Sequence, residues 1–526
     1  MTTFLEKTFF DTTMNKKIYN QKSRAFATSL TTFLGGVSLV VIAGCTLINP
    51  ADVKNPQITQ TSLEENSTGG ASGLLSGIRR RFAFATACNS TITELVSDNY
   101  DNTTSFVSAE LDSPRLISTQ DLTLNSLGAT PGNGGGQGSN YLQLQRVHAL
   151  CVFGINSVIP ADAQVTPAQI AEIRWHKGMA LLMLSESYSF FPVEEGGKGI
   201  SASDARKLAV QDFTKALELV GTSTAAANVA IANGCRLALA RLYRMEGDKA
   251  NAAQFARDVL MRSPSYVNGA LCDAAQWPND FGAYVIFRTD NNYQPNPRLD
   301  FLDPKFVNLA IPGNNDAPIS VLKAEEAHLI LAEIALSNND LTAARQSMAA
   351  AATLARSRPS GTYTDRDNRR GNRPALATVN VRADVNSPYI ANLVQRRNAS
   401  PVTAYPISFT NQTADSVNAL DGKTLADHVY MLYLLRQHIF FGEGRRMTDL
   451  GIRLPVMQRQ IENNVNMAVG QPGTAVSVPD YIPQGDEMDR FSPFPVVATT
   501  TQVTLLWDMN KVIATNIKRV SPFSGF

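Results

Sequence analysis

The densest group of side chains able to do chemistry lies in Arg436-Gln-His-Ile-Phe-Phe-Gly-Glu-Gly-Arg445-Arg446-Met-Thr-Asp449-Leu450, which sets Arg436, Glu443, Arg445, Arg446 and Asp449 around a glycine turn. A guanidinium and a carboxylate pair through two parallel hydrogen bonds, so charge at this density suits a turn pinned between helices. Enzyme motifs are missing elsewhere. The histidines, His148, His176, His328, His428 and His438, include no pair at helical ligand spacing and no HExxH, which argues against a zinc hydrolase. No G-x-S-x-G elbow occurs. The glycine run 132–138 lacks the G-x-G-x-x-G register and the strand–turn–helix setting of a nucleotide loop, and it reads as surface loop. Asp98 with Asp101, or Asp486 with Asp489, would suit glycoside hydrolysis only at a carboxyl separation that sequence does not give. No cofactor motif is found.

Helices must position these groups. Thr61 and Glu64 have capping-box spacing and open a helical pattern through Leu74, Leu75, Ile78, Phe82 and Phe84. Further helical periodicity runs over Tyr141–Val158, from Pro167 at a first turn to Tyr188, over Ala202–Val220, and over Leu425–Phe441. Leu239-Ala-Arg-Leu-Tyr-Arg-Met-Glu-Gly-Asp248 and Leu331-Ala-Glu-Ile-Ala-Leu-Ser-Asn-Asn-Asp340 match at an offset of 92, since 340 − 248 = 92. Each predicts a helix, a tight turn and a second alanine-rich helix, as in a tetratricopeptide hairpin. The offset exceeds the period of about 34 of a continuous array, so insertions separate the pairs. The stretches 263–320, 358–420 and 470–526 read as irregular, the last as loops with short strands. Long loops on a helical scaffold are where function tends to sit.

Cys45 gives an address. The stretch from Phe33 to Cys45 is apolar and short, it follows Lys16, Lys17, Lys22 and Arg24, and it ends Ile42-Ala43-Gly44-Cys45. That is a secretory signal whose ending resembles a bacterial lipobox, too short for a spanning helix of roughly 20 residues. Residues 1–44 are then signal, 45–60 a lipidated tether, and 61–526 the folded domain. The full chain carries a formal net charge of +1; removal of five basic and two acidic signal residues leaves 42 basic against 44 acidic groups. Such a balance argues against nucleic acid as a partner. Cys88, Cys151, Cys235 and Cys272 form no CxxC pair, and four thiols in so long a chain make no disulfide scaffold.

The segment 436–450 resembles the R-x-x-E-L-x-x-E-G-x-R-x-x-D-L signature of the SusD/RagB family of outer-membrane nutrient-binding lipoproteins. Ile439 stands where the pattern has its first glutamate, and Phe440-Phe441 alter the helix end. Ala171-Glu172-Ile-Arg174 continuing to Tyr188-Ser-Phe-Phe-Pro192 is similar to the family's A-E-x-R-F-L-R-A helix and Y-G-x-x-P ending. Leu322-Lys323-Ala324-Glu325-Glu326 continuing to Ala332-Glu333 resembles its R-x-A-E-x-x-L-x-x-A-E helix. The usual Q-N-P-G-Y-type ending is replaced by Pro479-Asp-Tyr481-Ile-Pro and Phe491-Ser-Pro-Phe-Pro, so the chain reads as a divergent member.

The resemblance implies a mainly α fold, with tetratricopeptide-like hairpins as scaffold and loops with a few short strands on the ligand face. It implies a lipoprotein at the outer-membrane surface that captures a glycan or peptide for a SusC-like TonB-dependent transporter without cleaving it. The signature residues Arg436, Glu443, Arg445, Arg446 and Asp449 are then structural. Glycan capture calls for flat aromatic faces beside amides and carboxylates. In the irregular regions these are Asp98, Asn99, Tyr100 and Asp101, then Trp277, Asn279, Asp280, Tyr284 and Tyr293. Two other readings fit the same residues: an adaptor whose hairpins bind only proteins, and a surface glycosidase using loop carboxylates.

Overall fold

Among the described residues of the computed structural model, ten helices of seven or more residues carry the architecture, each packed on the next along the chain. The structure describes residues 69–102, 109–119, 139–275, 277–279, 281–282, 285, 293–311, 314, 316–364, 378–395, 401–484, 488 and 502–526. Cys45, the glycine run 132–138, Asp280, Tyr284, Asp486 and Asp489 lie outside them, as do the side chains of Asp101 and Tyr293. The helices are α1 (Gly70–Leu95), α2 (Asn140–Phe153), α3 (Pro167–Ser187), α4 (Ala202–Val220), α5 (Ala226–Met245), α6 (Lys249–Arg262), α7 (Ala324–Ser337), α8 (Leu341–Arg356), α9 (Leu425–Ile439) and α10 (Met509–Thr515). No helix among the described residues is long and apolar enough to cross a membrane.

Local chemistry starts several of these helices where the sequence predicts; Thr61 and Glu64, expected to open the first, lie outside the described residues, and α1 begins at Gly70 with no side-chain cap. Thr166 and Gln169 form a reciprocal capping box with Pro167 at the first turn of α3, and Thr424 with Asp427 does the same for α9. Ser201 caps α4. In both expected hairpins the second helix opens on an aspartate: Asp248 accepts from the Asn251 amide at 3.0 Å and Asp340 from the Ala343 amide at 2.9 Å.

The two hairpins, α5–α6 and α7–α8, repeat each other bond for bond. The Asp248 amide donates to the Tyr243 carbonyl at 2.9 Å, and the Asp340 amide to the Ala335 carbonyl at 2.8 Å. Gly247 has φ +75° and Asn339 φ +57°, so both turns pass through the left-handed region that glycine and asparagine tolerate best. In the chain, the residues between them form the insertion; in space, α7 packs directly on both α5 and α6. Alanines at the crossing, Ala252 and Ala256 in one hairpin and Ala344, Ala351 and Ala352 in the other, are fully buried, which lets the backbones approach.

Strands are short and lie in small sheets. Tyr100–Asn102 (β1) pairs antiparallel with Tyr293–Pro295 (β5), joining the polar segment at 98–101 to the irregular stretch 263–320. Phe190–Pro192 (β2) and Gly199–Ser201 (β3) form a hairpin after α3. Val267–Ala270 (β4) pairs with Ile319–Lys323 (β6), which leads into α7. Gly361–Thr364 (β7) pairs with Pro401–Ala404 (β10). Thr378–Arg382 (β8) sits between Ile390–Gln395 (β9) and Gln502–Thr504 (β11), the last in parallel. The region 470–526, expected as loops and short strands, also holds α10 and a helical turn at Ile517–Val520; Asp508, capping the Asn510 amide, starts α10.

Candidate functional site

The charged cluster at 436–449 is buried; Arg436 and Asp449 pair with each other, while Glu443, Arg445 and Arg446 meet partners from other parts of the chain. Arg436 on α9, 1% exposed, makes two hydrogen bonds to Asp449, at 2.8 and 2.7 Å. Arg446 grips Asp98 in the same forked way, at 2.5 and 2.9 Å. Arg445 meets Glu326 at 3.0 Å, and Glu326 is also held by Arg241 of α5. Glu443 accepts from Lys305 and Lys323, each at 2.6 Å. One turn higher, Arg244 of α5 pairs with Glu333 of α7. Burial raises the Glu326 carboxyl, but Arg241 and Arg445 outweigh it and hold the group down at about 2. Burial pulls the Lys323 ammonium down to about 8, against the attraction of Glu443. A cluster so interlocked fastens the end of α9 to α1, α5 and α7. It offers no uncommitted acid or base pair in a cleft.

The glycine turn itself is held from α1. Glu94, fully buried near the end of α1, accepts from the Gly442 amide at 3.1 Å, the Gly444 amide at 2.7 Å and the Asn99 side chain at 2.8 Å. Burial pushes its carboxyl up to about 7, opposed by these three donors and Lys305. Gly444 needs its lack of a side chain twice over, since its φ is +72° and a Cβ would lie 2.8 Å from the Thr93 hydroxyl.

Four residues expected on the ligand face are placed inside this scaffold. Asp98 is consumed by Arg446 and by Gln437, whose side-chain amide donates to it at 3.0 Å. Asn99 donates to Glu94 and accepts from Gln437 at 3.1 Å. Tyr100 is fully buried, stacked on Phe441 with centroids 4.9 Å apart and edge-on to Phe281. Asn279 donates to the Ala317 carbonyl and accepts from the Gly282 amide, both at 2.8 Å, and so shapes its own loop. The polar composition of 98–101 reads as loop because three of the partners that bury it, Gln437, Phe441 and Arg446, lie more than three hundred positions later.

Trp277 differs. It is half-buried, bridged backbone to backbone with Asp273, and the exposed Arg80 of α1 lies over its ring at 5.1 Å. Ring and guanidinium together give a flat apolar face with hydrogen-bond donors at its margin, the pairing that sugar rings fit. A second such pair was not legible in the sequence: Arg382 lies 4.8 Å over Tyr389, which is 37% exposed beside β8 and β9. The only cue is Pro388 before an aromatic in an irregular stretch.

Two clefts lie elsewhere among the described residues, the first of them beside Tyr389. One, of about 260 Å³, lies between the β8–β9 connection and α9; Arg298 and Tyr430, both bonded to Asp508, form part of its wall. The other, of about 480 Å³, runs between α2, the β2–β3 turn and a helical turn at Gln458–Glu462. Among the described residues no cluster of His, Cys, Asp or Glu is arranged to hold a metal ion.

No protein-family profile and no curated protein sequence matches the chain. Among solved structures it is similar to a SusD-like carbohydrate binding protein from Bacteroides vulgatus, 13% identical, with a TM-score of 0.44 over 73% of this chain and 83% of that one. It is similar to a SusD superfamily protein from Bacteroides thetaiotaomicron, 12% identical, TM-score 0.48, covering 78% of this chain and 99% of the other. A SusD/RagB family protein from the same organism is 9% identical, with a TM-score of 0.45 over 77% and 90% of the two chains.

Proposed function

We propose that this chain, whose motifs resemble those of the SusD/RagB family, is a lipid-anchored surface protein that captures an oligosaccharide and passes it to a SusC-like TonB-dependent transporter in the outer membrane. It binds without cleaving. The observation that carries this reading is the Trp277–Arg80 pair, a half-buried indole with an exposed arginine whose guanidinium lies over its ring. The commitment of the charged cluster to scaffold supports capture over catalysis, because its carboxylates already accept from arginine, lysine and backbone amides.

Stacking on an indole and its guanidinium neighbour supplies binding without a reactive group. A Trp277→Ala variant of residues 46–526 is expected to bind soluble oligosaccharides at least about tenfold more weakly by calorimetry, equivalent to about 1.4 kcal/mol. Unchanged affinity would remove Trp277 from the site and leave the capture reading without its main support. The anchor is tested separately: Cys45→Ser in the full chain should abolish metabolic labelling by fatty acid and shift the protein out of the membrane fraction. A transporter that co-purifies with wild type and with the Trp277 variant alike would separate docking from ligand capture.

A further inference from the structure

We propose that the cleft of about 480 Å³ between α2, the β2–β3 turn and the Gln458–Glu462 turn is a second binding site, separate from Trp277, that takes a small neutral polyhydroxylated molecule of one or two sugar rings. Its volume falls in the range of about 300–1,000 Å³ usual for small-ligand sites.

The walls are tied together without a ligand. Gln145 of α2 donates its side-chain amide to the Pro192 carbonyl at 2.7 Å, joining the helix to the β2–β3 turn. Tyr141, one helical turn earlier, donates its hydroxyl to Gln460 at 3.1 Å, joining the helix to the third wall. Asn464 and Asn466 donate to the Gly197 and Gly196 carbonyls at 2.8 and 2.7 Å, closing the ring of contacts between the second and third walls. A cleft braced on three sides is formed before anything enters it.

What these braces leave over defines the ligand. Gln145 retains its side-chain oxygen as an acceptor and Gln460 its amide as a donor. His148, 5% exposed, lines the cleft, and its ring makes no hydrogen bond among the described residues. Burial, with Lys177 nearby, pulls its imidazole down to about 4, so it presents one N–H and one acceptor nitrogen at neutral pH. At the mouth, Glu194 and Glu195 balance Arg146 and Arg459, so no net charge selects an ion. Paired donors and acceptors over a neutral field suit hydroxyl groups, each of which both donates and accepts. Leu142, Val193 and Met457 supply apolar wall for the C–H faces of a ring.

The chain has five histidines, so ring-labelled histidine gives a readable NMR spectrum of the mature protein, and His148→Gln identifies the signal of interest. Cellobiose and maltose are titrated, with dialanine as a peptide probe. The expected result is a saturable shift of the His148 signal with at least one disaccharide, retained in Trp277→Ala. Asn463→Arg, an exposed rim change that blocks the mouth without touching the core, should weaken that response tenfold or more. The proposal is overturned if neither disaccharide moves the signal, if dialanine alone moves it, or if Trp277→Ala abolishes the shift.

Discussion

Phe440 shows, at the scale of one residue, how a departure from the signature that segment 436–450 resembles is absorbed. Ile439 removes a carboxylate from a region crowded with cations, and three of those cations lie over the ring of its neighbour: Lys323 at 5.3 Å, Arg436 at 5.4 Å and Arg445 at 5.3 Å. Buried nitrogens of both arginines, Nη1 of Arg436 and Nε and Nη1 of Arg445, have no hydrogen-bond partner among the described residues, and the π face supplies part of the compensation. Phe440→Leu keeps an apolar group of the type the family pattern carries here, yet removes that face. It should lower unfolding free energy by about 2 kcal/mol in urea titration. Asp449→Asn removes the countercharge of Arg436 and should cost about 3–5 kcal/mol. Neither change should alter ligand affinity per folded molecule; a matching loss of affinity would move the cluster from scaffold to site.

At the scale of elements, the repeated hairpin makes an internal control. Asn339 occupies the left-handed position that Gly247 occupies one repeat earlier. Asn339→Gly should be neutral or raise stability by a few tenths of a kcal/mol, because it relieves a small conformational cost. Gly247→Ala should lower it by about 1 kcal/mol or more, since the new Cβ would also meet the Pro522 carbonyl at 2.6 Å. Melting temperatures of the two variants decide the matter; equal effects would break the equivalence. Caps and 3.6-residue periodicity are local, which is why α3, α4, α9 and both hairpins are legible in the sequence. The burial of Asp98, Asn99 and Tyr100 is not, because it depends on Arg446, Gln437 and Phe441 arriving from the far end of the chain. The second cleft was equally hidden, its walls drawn from three segments with no motif of their own.

For the whole molecule, buried histidines set the response to acid. Burial lowers His148 and His176 to about 4 and His438 to about 3, aided by Lys177 at His148 and by Arg298 and Arg446 at His438, and opposed by Glu172 at His176. Between the folded values and the unfolded value near 6.5, the unfolded chain binds more protons, so stability is full above about pH 6.5 and declines as pH falls toward 4. Glu94 works in the opposite sense: raised to about 7 from about 4.5, it binds its proton in the folded state first and gains stability as pH falls through that window. Three groups outweigh one. Denaturation midpoints should therefore fall between pH 6.5 and 4.5, and fall more steeply in Glu94→Gln, which lacks the offset. A flat profile would contradict the neutral, buried state of the histidines.

The fastening of α1 to the turn after α9 also has a consequence in time. Glu94 and Asp98 are made early in synthesis, and the amides of Gly442 and Gly444 and the guanidinium of Arg446 follow some three hundred and fifty residues later. Contacts that span so much chain form last. Until residue 446 has been made, Asp98 lacks the guanidinium that grips it and Glu94 lacks the Gly442 and Gly444 amides. The tie between α1 and the turn after α9 therefore closes only once nearly the whole polypeptide has been made, whereas the two hairpins, whose contacts are local, can form before it.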